Sequence, residues 1–226
     1  MGQVIGDILP TAIAVAISPL PIIAVILMLF TADARRNGTA FLGGWIGGLA
    51  VAGAIVLAVA SAADLSQSDG EQPTAAGVIK LALGVLLLAL AYRNWSTRPK
   101  AGDEPEMPGW MAAIDEFSAA KSAGLAAVLS GVNPKNLALT VAAAITIAGG
   151  GLSTGQEIGA LAVFVALASL TVAAPVVFYL AAGDGAEEPL DRAKRWLVQN
   201  NATVMAVLLL IIGLKLAGDG IGILSG

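Results

Sequence analysis

The chain of 226 residues contains no cysteine and no histidine. Without cysteine there is no disulfide, no thiolate metal ligand and no thiol relay for reducing equivalents. Without histidine, the commonest metal ligand and the side chain that titrates nearest neutrality are missing. Charge is scarce too: 12% of residues are charged, where an ordinary soluble domain has about 25%. Twelve bases and sixteen acids cannot coat a globule of this length, which excludes a water-soluble enzyme, and their net charge of −4 argues against nucleic acid as a partner. There is no nucleotide-binding motif. No enzymatic activity and no metal or other cofactor is expected.

What the chain has in quantity is apolar sequence, 57% of the whole. Six apolar segments of membrane-spanning character run about Gly6–Phe30, Thr39–Ala62, Ala75–Tyr92, Ser122–Ala148, Gln156–Ala182 and Ala202–Ala217. Each is apolar nearly all round rather than striped. Continuous runs of this kind predict helices, since a membrane barrel shows alternating segments of about ten residues. The first segment begins close to Met1 without a basic region before it, so it reads as a span and not as a cleaved leader. The bases then divide the loops. Arg35 and Arg36 follow the first span; Arg93, Arg98, Lys100 and Lys121 follow the third; Arg192, Lys194 and Arg195 follow the fifth. The other two loops, 64–74 and 149–155, contain neither Lys nor Arg. Cytoplasmic loops are the Lys- and Arg-rich ones. The expectation is a multi-pass plasma-membrane protein with both termini extracytoplasmic.

The long connection 94–121 separates a first half, 1–93, from a second, 122–226. Its first part, 94–108, is polar and carries Pro99, Pro105 and Pro108, as a flexible linker does. Trp110, Met111, Ile114 and Phe117 then recur at helical spacing, with Asp115, Glu116 and Lys121 on other faces. That pattern predicts a short amphipathic helix in the cytoplasmic interface, either a passive connector or a gate.

The halves echo each other. Ile17-Ser18-Pro19-Leu20-Pro21 in the first span corresponds to Val132-Asn133-Pro134-Lys135-Asn136 in the fourth, each with a small polar residue just before a proline. Gly84-Val-Leu-Leu-Leu in the third span resembles Ala206-Val-Leu-Leu-Leu in the sixth. Proline removes a backbone donor and clashes with the preceding turn, so it frees polar groups in mid-span that lipid cannot satisfy. With three spans per half, the second half is inverted relative to the first. The predicted fold is therefore an all-α integral membrane protein of six transmembrane helices. They form two inverted three-helix repeats with proline-broken first and fourth helices, a pattern that points to a secondary transporter.

Ser18-Pro19-Leu20-Pro21-Ile22-Ile23-Ala24-Val25-Ile26-Leu27-Met28-Leu29, with Arg35-Arg36-Asn37-Gly38 and Gly43-Gly44-Trp45 after it, closely resembles the first repeat of GAP (Sap-like, lipid-addressing) membrane proteins. Gly131-Val132-Asn133-Pro134-Lys135-Asn136-Leu137 resembles the matching piece of their second repeat. The family belongs to the LysE transporter superfamily, whose amino-acid exporters are similar in their proline-bearing first and fourth spans. The resemblance covers nearly the whole chain except 94–121. It implies six helices in two inverted repeats and export of surface lipids or glycolipids across the plasma membrane. The thiol–disulfide electron carriers of that superfamily need membrane cysteines and are excluded.

The leading expectation is thus a lipid or glycolipid exporter, a flippase working by alternating access. An amphiphile keeps its tails in lipid and needs polar hosts only for its headgroup, which suits spans with few charges. An exporter of small solutes such as amino acids or cations is one alternative, and a non-transporting scaffold for a lipid-synthesis or export complex is another. A homodimer and lipid-synthesis machinery stand as candidate partners beside the bilayer and the lipid substrate. The candidate substrate-binding residues are Ser18, Pro19, Pro21, Asn133, Pro134, Lys135 and Asn136 at the two breaks, with Lys80 and Lys215 toward the outer side. Lys135 lies too deep in its span to reach either interface, so it is expected to face the interior and meet an anionic group of the substrate, or else to tie down carbonyls freed by the breaks. Lys80 and Lys215 either snorkel to outer headgroups or receive an anion, and Lys215 can pair with Asp219 one turn on. Asp7 is a weaker candidate, as a proton site. Gly43, Gly44, Gly47, Gly48 and Gly53 mark a face of the second span where another helix packs closely.

Overall fold

The computed structural model describes residues 1–62, 74–98 and 109–225, and the regular structure among them is entirely helical. In chain order these are α1 (Gly2–Ala16), α2 (Pro19–Met28), α3 (Ala34–Ala62) and α4 (Thr74–Ser96), then a 3-10 helix (Gly109–Glu116), α5 (Ala119–Gly131), α6 (Pro134–Ala148), α7 (Thr154–Ala182), a short 3-10 turn (Gly183–Ala186) and α8 (Glu187–Ser225). Four of them, α3, α4, α7 and α8, are each long and apolar enough to cross a membrane, and α1 with α2 makes a fifth candidate, bent by 52° at its break. The expected fourth span is divided into α5 and α6, of 13 and 15 residues, each shorter than the roughly 20 needed to cross alone.

The breaks have a local cause. A residue before proline is driven out of the α region, and Ser18 (φ −111°, ψ 101°) and Asn133 (φ −57°, ψ 125°) are both extended. Each proline then opens the next helix at a position where the missing N–H costs nothing. Asn133 adds a cap, its Oδ1 accepting the Lys135 amide at 3.0 Å. Exposed backbone at the breaks would be costly in lipid, and the two half-helices that follow the prolines, α2 and α6, lie in the centre of the bundle. Eight of ten residues of α2 and eleven of fifteen of α6 are buried, against six of twenty-three in the peripheral α4. The long helices wrap them and turn Val51, Ile55, Val85, Leu170 and Val177 outward, a belt of large apolar side chains suited to lipid.

Two glycine contacts set the long-helix pairs. α4 and α8 run antiparallel with backbones touching; a Cβ on Gly220 would stand 2.6 Å from the Leu81 amide nitrogen. α3 lies beside α5, and a Cβ on Gly48 would fall 2.8 Å from the Ala127 Cα. One face round, Gly47 has nothing within 4 Å of its Cβ position. Gly48→Val therefore forces α3 and α5 apart and is expected to cost about 1–3 kcal/mol. Gly47→Ala should leave the unfolding temperature in detergent unchanged or raise it; equal losses for both would contradict this packing.

Three sequence expectations are corrected. The stretch with Arg192, Lys194 and Arg195 is not a loop but the start of α8, 39 residues long, or about 58 Å at 1.5 Å per residue, well beyond the hydrocarbon. Acids in its first turn and the pairs Arg192–Glu188 (2.7 Å), Lys194–Asp191 (2.7 Å) and Arg195–Asp191 hold that helix. The Lys194 ammonium hydrogen-bonded to Asp191 keeps its carboxyl below the usual carboxylate range. Residues 94–96 belong to α4 and not to a linker, while 99–108 lie outside the described residues. Residues 109–116 form a 3-10 helix, and its Met111 and Ile114 are buried in the core beside α2. Asn37 Nδ2 pins the end of this segment by donating to the Phe117 carbonyl at 2.9 Å.

Candidate functional site

Each break frees carbonyls, and their partners can be followed one by one. In an unbroken helix the Ala14, Val15 and Ala16 carbonyls would accept from residues 18, 19 and 20. Pro19 has no N–H, and the Ser18 amide turns instead to the Ala16 carbonyl at 2.8 Å. The Val15 carbonyl takes the Ser18 hydroxyl at 2.6 Å. The Ala14 carbonyl takes the Lys135 ammonium at 2.9 Å, across from the second break, and the same Nζ donates to Ser18 Oγ at 2.5 Å. Thr171 of α7 donates its hydroxyl to the Ala16 carbonyl. At the second break the Asn133 amide goes to the Val128 carbonyl at 3.1 Å, and Asn136 Nδ2 covers the Leu129 carbonyl at 2.8 Å. The breaks thus share one buried polar cluster in which Ser18, Lys135 and Asn136 are 3%, 8% and 1% exposed.

Beside this cluster is a cavity of about 200 Å³. Ser18, Pro19, Pro21, Asn133, Pro134, Lys135 and Asn136 all line it, so every candidate residue at the breaks falls on one wall. The opposite wall is built by α4 and α8, through Leu90, Asn94, Asn201, Met205 and Leu209. Asn94 lies in the last turn of α4 next to Arg93, and Asn201 lies six residues past Arg195 within α8, so the cavity extends toward the base-rich end. Sequence reasoning missed both asparagines, and also Thr171. Asn94 read as linker, Asn201 fell one residue before a span, and a lone threonine in an apolar helix gives no signal. Asn201 Oδ1 is buried with no hydrogen-bond partner among the described residues, an acceptor facing an unfilled need.

Lys80 and Lys215 do not line this cavity. Lys215 pairs with Asp219 at 2.7 Å, the pairing expected from their spacing. Lys80 is 5% exposed within α4, with the charges of Asp219, Lys215 and Asp7 acting on it. It is buried in the bundle and does not snorkel. These four charges form a separate group near the other end of α4 and α8.

Among the described residues, the cavity wall combines one cation, a hydroxyl and several carboxamides, and no acid. Carboxamides both donate and accept, which matches hydroxyl-rich ligands, while the ammonium complements an anion. The cavity also takes in Leu20, Leu90, Met205 and Leu209, so an apolar side adjoins the polar wall. A family model described as Sap, sulfolipid-1-addressing protein, matches residues 8–222. No curated protein and no solved structure matches the chain.

Proposed function

We propose, from the premise that this chain belongs to the family described as Sap, sulfolipid-1-addressing protein, that it is a non-enzymatic exporter that flips an anionic sugar lipid across the plasma membrane. The observation that carries this reading is the Lys135 ammonium, set where the two breaks meet and bordering a cavity with no acid among the described residues of its wall. A sulfated headgroup is the ligand the family description suggests. Lys135 meets the anion; Ser18, Asn133, Asn136, Asn94 and Asn201 serve the hydroxyls.

Alternating access by two inverted repeats is supported by the packing. α3 runs parallel to α5, the first piece of the other half's broken span, through Gly44 beside Ala123 and Gly48 beside Ala127. α7 likewise runs parallel to α1, through Gly159 beside Met1 and Thr171 on Ala16. Exchanging the halves maps each pair onto the other, and the antiparallel α4–α8 pair maps onto itself. The basic segments gather at one end: Lys194 stands 5.3 Å over the Phe30 ring, and Asn37 binds Phe117. That end is assigned to the cytoplasm, which makes the cavity inward-facing and places both termini outside.

The test is flipping in proteoliposomes of a fluorescent sulfatide, a sulfated galactosyl lipid, beside a phosphatidylcholine with the same label. The sulfatide should cross much faster with protein than without, and faster than the phosphatidylcholine. Absence of flipping for both, together with thermal stabilisation by amino acids and by no lipid, would overturn the reading.

A further inference from the structure

The structure offers a second, more apolar space directly behind the α4–α8 wall of the cavity. On the outward side of α4 and α8 lies an apolar groove of about 570 Å³, lined by Leu88, Tyr92, Trp95, Ala206, Val207 and Leu210. Neighbouring residues divide between the two spaces: Asn94 lines the cavity and Trp95 the groove, Met205 the cavity and Ala206 the groove, Leu209 the cavity and Leu210 the groove. The partition is one helix thick; α4 ends at Ser96, while α8 continues to Glu187. A lipid in that leaflet can lie with its tail in the groove and its head bent over the end of α4 beside Asn94.

The rim is equipped for an anionic head. Tyr92 and Trp95 are 75% and 48% exposed, amphipathic rings at the depth where such residues anchor proteins to the headgroup layer. The Arg98 guanidinium lies 3.8 Å from the centre of the Trp95 ring and donates to the Trp95 carbonyl at 2.6 Å. A guanidinium has five N–H donors in a planar fork, so the fixed ring orients the others toward a phosphate or sulfate. Arg93, exposed on another face of the same last turn and outside the groove's lining, is a second cation at this end of α4.

We infer that the α4–α8 groove is the loading site for an anionic lipid, which places an acyl chain against Leu88, Val207 and Leu210 and its headgroup under Arg98 and Arg93 before that headgroup passes over the end of α4 into the cavity. As a step in transport it rests on the proposed function; as a binding site it is tested separately.

The probe is phosphatidylglycerol with brominated acyl chains, compared with phosphatidylcholine carrying the same chains, in vesicles around protein with Trp110→Phe and Trp196→Phe. Trp45 is fully buried and Trp95 then reports the groove. Phosphatidylglycerol at a low mole fraction should quench Trp95 at least about twofold more than phosphatidylcholine. Arg93→Gln with Arg98→Gln should erase that difference, and Val207→Phe should reduce quenching by filling the groove. Lys135→Met should leave the preference intact while stopping transport. Equal quenching by the two lipids in the parent overturns the inference, whatever the Lys135 variant does. A preserved preference in a Lys135→Met protein that still transports overturns the role of Lys135 in meeting the headgroup and leaves the groove as an anionic-lipid site.

Discussion

Lys135→Met is expected to fold, insert and lose lipid transport. Truncating one partner of a buried charged contact costs about 2–5 kcal/mol, so the initial flipping rate should fall at least about 30-fold. Stability changes far less, because two effects oppose each other. Removing an ammonium from mid-membrane depth relieves roughly 2.5–3.5 kcal/mol. Against this, the Ala14 carbonyl and Ser18 Oγ lose the donor that reaches them at 2.9 and 2.5 Å, at about 1–3 kcal/mol for a buried group left unmet. From sequence alone the variant should fold at least as well as the parent; the hydrogen bond to Ala14 removes that advantage. Normal transport by a folded Lys135→Met protein would place the substrate elsewhere. Failure to fold would make the lysine a structural tie between the breaks.

Asn136→Leu is expected to act on stability instead. Its carboxamide is the group that covers the Leu129 carbonyl, at 2.8 Å, after the chain turns away at Asn133. Leucine matches its size and supplies no donor, so the Leu129 carbonyl loses this partner. The loss should be about 1–3 kcal/mol, read as a clear drop in unfolding temperature in detergent. Asn133→Ala removes only a helix cap and should cost about 1 kcal/mol. If Asn136→Leu were as stable as the parent, the second break would not depend on that side chain, and the shared polar cluster would lose its second anchor.

Much of this architecture was legible before any coordinates. Ser18-Pro19 and Asn133-Pro134 announced the two breaks because a residue before proline cannot stay helical, whatever surrounds it. The Lys215–Asp219 pair followed from a spacing of four on one helix face. Other features were hidden for reasons equally physical. The start of α8 looked like a loop because charged residues lower hydropathy, yet Glu188, Asp191, Arg192 and Arg195 sit four apart and stabilise a helix outside the membrane. Met111 and Ile114 had the spacing of an interfacial helix, but periodicity records only that a face is apolar and not whether lipid or protein covers it. Lys80 stood open between snorkelling and receiving an anion for the same reason.

The sequence by itself determined an all-helical membrane protein, its two mid-span breaks, and one deep lysine, since these depend on composition and on local backbone chemistry. Only the tertiary structure decided that the breaks meet. It set Lys135 on the Ala14 carbonyl, Thr171 on the Ala16 carbonyl, and Asn94 and Asn201 across a cavity from them. Those partners lie more than a hundred residues apart or at helix ends whose hydropathy is unremarked, and a freed carbonyl specifies only that some donor must come. Which donor arrives is settled by how the helices pack.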